Sequence, residues 1–179
     1  MIENTTFSGC KSNGNGGAIA VTHEISTDGL QNDRIKKKRL VIDQCTFIRC
    51  CSNVAGGAIY LQKVEKVAIS ESNFIRCTAN TGGGAISITN TDITAKISKC
   101  RFVRNEARLG GGVYLRSNIK HRSIVVRIKN SSFHNNKAVA FGQAIYSTAT
   151  AQGPDANLRN FKPLYIYMIF SSSPKQQLF

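Results

Sequence analysis

One short glycine phrase occurs five times along this chain of 179 residues. The copies are GGAIAV at 16–21, GGAIYL at 56–61, GGGAISI at 82–88, GGGVYL at 110–115 and GQAIYS at 142–147. A phenylalanine precedes every copy; it lies 10 residues before the second position of the glycine pair in four copies and 9 residues before it in the remaining one. Because this offset hardly varies, each repeat is expected to follow the same backbone path over this part.

Further columns appear when the copies are aligned on the phenylalanines. The position five residues earlier is isoleucine in all five copies: Ile2, Ile42, Ile69, Ile97 and Ile128. After the glycines, apolar positions alternate with a second set that is expected to face outward: Ala20, Tyr60, Ser87, Tyr114 and Tyr146. Alternation with a period of two is typical of a half-buried β-strand.

Short strands joined by Gly, Asn and Ser corners can bury their apolar side by coiling. The chain is therefore predicted to be all-β, a parallel β-helix (β-solenoid) of about five turns with strands about 4.8 Å apart. The β-branched residues and paired glycines argue against a stack of helix pairs. Residues 1–147 are expected to form the repeat domain. Residues 148–179 form a tail of uncertain structure, and the solenoid is expected to be uncapped or poorly capped unless Phe161 to Phe170 fold over the last turn.

The glycine phrase is paired with a second motif that begins at each phenylalanine. It is written FVRN at 102–105 and FHNN at 133–136, while three copies end in cysteine: FSGC, FIRC and FIRC. This combination resembles the repeat of the chlamydial polymorphic outer membrane proteins and of similar right-handed β-helix surface proteins of parasitic protists. The resemblance implies a right-handed coil, an extracellular or cell-surface location, and a role in adhesion to a host or cell-surface protein.

Two features of that family are missing from the sequence. The opening residues MIENTTFSGC have neither the charged nor the apolar region of a signal peptide. The longest apolar stretch, PLYIYMIF at 163–170, is too short to span a bilayer, so no transmembrane segment is expected. Because a strand begins directly at Met1 without a capping segment and the repeat register is lost after Ser147, we expect the chain to be a fragment of a longer protein.

Five of the six cysteines are predicted to pack inside the coil, and none of the six is predicted to bind metal. No C-x-x-C pair occurs, so neither a metal nor another cofactor is expected. Cys10, Cys50 and Cys77 share the position three residues after phenylalanine, whereas Cys45 and Cys100 lie two residues before one. Free thiols are favoured, and a disulfide between neighbouring turns stays open as an alternative.

The formal charge of +14 favours an anionic partner. Two basic segments, RIKKKRL at 34–40 and NIKHR at 118–122, lie in the longest insertions, which leave the same connector of the repeat. We predict one anion-binding patch from both segments: Arg34, Lys36, Lys37, Lys38, Arg39, Lys120 and Arg122. An acidic glycan or other anionic macromolecule is the expected ligand. Nucleic acid is disfavoured because no aromatic residues interleave with the charges, and solvated loops without a partner remain the alternative.

An enzyme would require clustered carboxylates on one outer face. The aspartates share no column of the repeat, and neither G-x-S-x-G nor H-E-x-x-H occurs. The sequence therefore predicts a structural or adhesive module that binds macromolecules without catalysis. The alternative is a carbohydrate-active β-helix enzyme, of the polysaccharide lyase or hydrolase kind, or a degenerate relative of one.

Overall fold

A computed structural model describes residues 1–22, 39–62, 64–89, 93–116, 124–148 and 165–169. All regular structure within these ranges is β-strand. The strands follow one another in five coils of four strands, and each coil corresponds to one copy of the repeat.

The strand bounds repeat closely from coil to coil. Coil one contains β1 Ile2–Glu3, β2 Thr6–Ser8, β3 Lys11–Ser12 and β4 Ile19–Val21. Coil two contains β5 Arg39–Asp43, β6 Thr46–Ile48, β7 Cys51–Ser52 and β8 Ile59–Gln62. Coil three contains β9 Lys66–Ser70, β10 Asn73–Ile75, β11 Thr78–Ala79 and β12 Ile86–Thr89. Coil four contains β13 Ile93–Ser98, β14 Arg101–Val103, β15 Glu106–Leu109 and β16 Val113–Arg116. Coil five contains β17 Ile124–Lys129, β18 Ser132–His134, β19 Lys137–Phe141 and β20 Ile145–Thr148.

Equivalent strands of successive coils pair in parallel, which produces four sheets. The pairing is in register except between β15 and β19, where the register shifts between Ala107 and Leu109. The first sheet has the order β1-β5-β9-β13-β17 and the second β2-β6-β10-β14-β18. The third sheet runs β3-β7-β11-β15-β19 and the fourth β4-β8-β12-β16-β20. These sheets confirm the predicted all-β parallel β-solenoid. Three of the five coils lie between two others and form its enclosed middle.

One further strand, β21 Tyr165–Ile169, extends the first sheet beyond coil five. It pairs in parallel with β17, from Val125 opposite Tyr165 to Lys129 opposite Ile169. This part of the tail therefore adds one strand to the edge of coil five in the first sheet, and a partial cap formed by the tail stays a prediction. The rest of the tail after Thr148 lies outside the described residues, and the domain boundary after residue 147 stays a prediction.

The phenylalanines form a continuous stack through the interior. Neighbouring rings are nearly parallel, with centroids 4.5 to 4.9 Å apart from Phe7 to Phe133. This spacing follows from the register of the second sheet, because strands about 4.8 Å apart bring like residues into contact. The predicted isoleucine column also faces inward, since Ile42, Ile69 and Ile97 are at most 1% exposed.

The second glycine of each pair allows two coils to approach closely. A β-carbon at Gly84 would collide with the carbonyl oxygen of Gly111 in the next coil, and one at Gly57 would collide with that of Gly84. A side chain at this corner is therefore incompatible with a coil stacked beyond it. In coil five the position is Gln143, and among the described residues no strand follows it in the third or fourth sheet.

The side chain of Gln143 also occupies a backbone donor of the last coil. Lys137 donates its N–H to the carbonyl oxygen of Asn105 in coil four, so the next N–H, that of Ala138, points away from coil four. Gln143 Oε1 accepts this N–H at 2.9 Å. One backbone donor at the expected uncapped end is therefore satisfied by a side chain from the same coil.

Candidate anion-binding face

Of the predicted basic patch, Arg39 is the single member within the described residues. It begins β5, is exposed, and lies in register with the exposed Lys66 of β9. The other six members lie outside the described residues: Arg34, Lys36, Lys37, Lys38, Lys120 and Arg122. The grouping of the two insertions on one side of the solenoid stays a prediction.

The tyrosines of the fourth sheet are less exposed than their outward register suggests. Tyr60 and Tyr114 are 8% and 7% exposed, and Ser87, which lies between them in register, is fully buried. Tyr60 and Tyr114, which the alternation predicts to face outward, are therefore buried and do not offer an exposed surface. Tyr146 is half-buried and stacks on Tyr114 with ring centroids 6.1 Å apart.

The cysteine column belongs to the interior. The thiol of Cys50 donates to the carbonyl oxygen of Phe7 at 3.5 Å, and that of Cys77 donates to the carbonyl oxygen of Phe47 at 3.6 Å. All six cysteines of the chain are free thiols. The column thus links each coil to the one before it.

Burial and neighbouring thiols shift the pKa values of the buried cysteines. The neighbouring thiol of Cys77 lowers the pKa of Cys50 to about 7, while the Cys50 thiol and burial together raise the pKa of Cys77. Burial raises the pKa of the Cys100 thiol to about 11. Since Cys50 is fully buried, its more acidic thiol does not meet solvent or substrate.

Asparagines continue this column in coils four and five. Asn105 Nδ2 donates to the carbonyl oxygen of Phe74 at 3.0 Å, and Asn136 Nδ2 donates to that of Phe102 at 3.0 Å. The final position of the F-x-x-N motif is therefore a buried link between coils.

The position just before this column carries an exposed row of like charges. Arg49, Arg76 and Arg104 each follow a phenylalanine by two residues in coils two, three and four, and all three are exposed. We call these three residues the arginine row. Gly9 and Asn135 hold the equivalent positions in coils one and five. The sequence already indicates this row, because arginine is the third residue of the motif in FIRC, FIRC and FVRN.

The backbone of the arginine row is identical in the three coils. The φ angles are 51° at Arg49, 54° at Arg76 and 54° at Arg104, in the left-handed region that glycine and asparagine accept most readily. Each arginine donates its N–H at 2.9 Å to the next coil, to Ile75, Val103 and His134 in turn. The three Cα atoms therefore follow the strand spacing of about 4.8 Å.

A second left-handed corner, between the first and second sheets, carries its charges differently. There Glu71 and Lys99 occupy equivalent positions of neighbouring coils, and Lys99 Nζ lies 2.8 Å from Glu71 Oε1. On the third sheet, Lys137 Nζ lies 3.3 Å from Glu106 Oε1. Opposite charges thus meet across coils at both of these sites.

The arginine row has no such partners among the residues that the structure describes. In that part of the chain, no ion pair or hydrogen bond reaches the guanidinium groups of Arg49, Arg76 and Arg104. Like charges at directly opposed positions of paired strands repel one another. The row is therefore a concentrated positive edge along the solenoid.

Among the described ranges, no group of three or more His, Cys, Asp or Glu side chains is arranged to hold a metal ion. A search of those same ranges for an apolar helix of membrane-spanning length finds none. Comparisons of the chain with protein-family models, with curated proteins and with solved structures gave no match.

Proposed function

We propose that this chain is a structural or adhesive β-helix module of a surface or secreted protein, which binds macromolecular partners without catalysis. The observation that supports this function is the residue-for-residue register of the coils in the first, second and fourth sheets. Register places equivalent outward side chains in straight columns, with one chemical group per coil about every 4.8 Å. Such columns present the same contact repeatedly, which suits an extended partner.

Three acidic side chains among the described residues are engaged in contacts between coils. Glu71 and Glu106 pair with lysines of the following coils. The carboxylate of Asp43 accepts a hydrogen bond from the hydroxyl of Ser70 in the next coil. These contacts hold neighbouring coils together, whereas a glycoside-cleaving site needs two carboxylates facing one substrate. A carbohydrate-active enzyme is the competing function.

The proposed partner carries negative charge. The chain has 24 Lys and Arg residues against 10 Asp and Glu residues, so its field attracts anionic polymers over several ångströms at physiological salt. An acidic glycan at a cell surface or a host surface protein meets this requirement, and the resemblance to adhesive surface proteins favours the same setting.

The experiment that tests this function measures binding and turnover on the same samples. The full chain is incubated with heparin, hyaluronan, polygalacturonate and neutral dextran; retention is measured by surface plasmon resonance, and cleavage by new reducing ends and by ultraviolet absorbance of unsaturated sugars. We expect retention on the acidic polymers and no cleavage of any of them. Cleavage that disappears in Asp43→Asn, Glu71→Gln or Glu106→Gln would replace the proposal with the enzyme.

A further inference from the structure

We propose that the arginine row is a binding site for a linear acidic glycan, which lies along the solenoid axis and places one anionic group on each guanidinium. This inference rests on the proposed function and names its ligand class and its site. The row runs across the strands, so Arg49 and Arg104 are two strand spacings apart, roughly 10 Å. A ligand that contacts all three arginines must therefore carry several charges along an extended chain.

The residues of the row are poor choices for the stability of the fold. The corner backbone favours glycine or asparagine, which are found in coils one and five as Gly9 and Asn135. Three arginines add mutual repulsion across adjacent strands. The other left-handed corner avoids this repulsion by pairing Glu71 with Lys99. A bound polyanion would offset the repulsion among the three arginines. Ligand binding therefore accounts for arginine at these positions, whereas fold stability does not.

The chemistry of the row suits sulfate and carboxylate groups. A guanidinium group donates two parallel hydrogen bonds to such an anion and stays charged at all physiological pH values. On the third sheet next to the row, the one nearby carboxylate among the described residues, Glu106, is already paired with Lys137. An approaching polyanion therefore meets no unpaired negative charge at that position.

The neighbours of the row favour a glycan over single-stranded nucleic acid. The residue before each arginine is aliphatic and half-buried: Ile48, Ile75 and Val103. Aliphatic side chains can contact the apolar face of a sugar ring, but they do not provide the aromatic platform on which bases stack. The row thus combines periodic cations with an adjoining aliphatic strip.

The test uses a variant that removes the charges and improves the fit to the backbone. In Arg49→Asn, Arg76→Asn, Arg104→Asn, each new residue accepts the left-handed conformation more readily than arginine does. The matched control is Lys66→Gln, Lys96→Gln, Arg127→Gln, which removes three exposed charges from the first sheet. Heparin and hyaluronan are the glycan probes, and a 12-nucleotide oligothymidine is the nucleic-acid probe.

We expect the row variant to melt at the same temperature as the natural sequence or above it. Its affinity for heparin should fall about tenfold at physiological salt, and the slope of log affinity against log salt should decrease by about 2, as expected when three charge contacts are lost. In the control variant, the decrease in log affinity and the decrease in the salt slope should each be less than half of those in the row variant. Better folding combined with weaker binding is a result that a purely structural role of the arginines does not produce.

Each other outcome overturns the site. Equal losses of heparin affinity in both variants would mean diffuse attraction by the net charge. Heparin affinity that is unchanged from the natural sequence in both variants would place the glycan elsewhere. A lower melting temperature of the row variant would make the arginines structural. Oligothymidine that binds more tightly than heparin, in a manner that depends on the row, would make nucleic acid the ligand. Cleavage of the polymers, which is measured separately, bears on the proposed function and not on this site.

Discussion

Cys77 donates its backbone N–H to Oδ1 of Asn105 across 2.9 Å, although the two residues are 28 positions apart in sequence. They hold the same position in neighbouring coils. Asn105 therefore bonds the preceding coil twice, because its Nδ2 also reaches the carbonyl oxygen of Phe74. Asn136 repeats the arrangement one coil later, with its Oδ1 accepting the N–H of Asn105 at 3.0 Å.

Replacement of Asn105 by Ala should destabilise the solenoid strongly. The change leaves a buried N–H of Cys77 and a buried carbonyl of Phe74 without their partners, at a cost of about 2 to 4 kcal/mol in the free energy of unfolding. Urea denaturation followed by circular dichroism measures this loss. The exposed Asn80 is the control, since Asn80→Ala should change the same free energy by no more than about 0.5 kcal/mol. Equal losses in the two variants would show that the side-chain hydrogen bonds of Asn105 contribute nothing to stability.

The substitution Cys77→Asn should stabilise the solenoid. An asparagine at this position can donate to the carbonyl of Phe47, where the thiol now makes a long contact of 3.6 Å, and can accept the N–H of Cys50. The expected gain is about 1 kcal/mol, the net value of a typical intramolecular hydrogen bond. Thermal melting compares Cys77→Asn with Cys77→Ser, whose side chain is too short to make both bonds. A serine variant as stable as the asparagine variant would contradict the explanation.

Stability should fall in alkaline solution because of Cys100. Burial raises the pKa of this thiol from its ordinary value near 9 to about 11, so the unfolded chain loses the proton first as the pH rises. The contribution is complete below about pH 9 and disappears as the pH passes through the folded pKa, with a loss of about 1 kcal/mol by pH 10. Urea unfolding at several pH values measures it.

The control for this titration is Cys100→Ser. Serine already holds the equivalent position at Ser72 and Ser131, where each hydroxyl accepts a backbone N–H of the preceding coil. This variant should keep the fold and lose less stability between pH 8 and about pH 10 than the natural sequence does. Identical pH dependence in both proteins would assign the alkaline loss to other groups.

Two outward positions of one column should respond differently to the same change. Ser87 is enclosed between Tyr60 and Tyr114, so Ser87→Asp buries a carboxylate without a charged partner and should cost several kcal/mol, about as much as Ile97→Asp. Ala20 lies in the same column but is exposed, and Ala20→Asp should be nearly neutral. Melting curves of the three variants decide the matter, and a mild effect at Ser87 would show that the column remains open to water.

The repeat itself was sufficient to predict the coil and its inward columns. Ile97 and Phe102 recur at fixed offsets, and a fixed offset in a parallel solenoid becomes a straight column. Burial of the outward residues could not be predicted in the same way. Ser87 is enclosed because its neighbours in adjacent coils are tyrosines, and alternation predicts which way a residue faces but not whether large neighbouring side chains cover it.

The charged sites show a related limit. Basic residues that are adjacent in sequence, such as those around Lys37, attract notice because they form a run. Arg49 and Arg76 are 27 residues apart, and they become neighbours only when coils two and three stack in register. A search for single residues that recur at the period of the repeat would find such rows, whereas a search for charge clusters finds only local segments.

The Gln143 side chain blocks the addition of another strand at its corner of coil five. Any strand added at this corner beyond coil five would need the space that the Gln143 side chain occupies, and the Ala138 N–H that it would bond is already taken. Open strand edges commonly recruit further chains and start fibres. A single long side chain, placed where the earlier coils carry glycine, thus disfavours pairing of another chain at this corner of the third and fourth sheets.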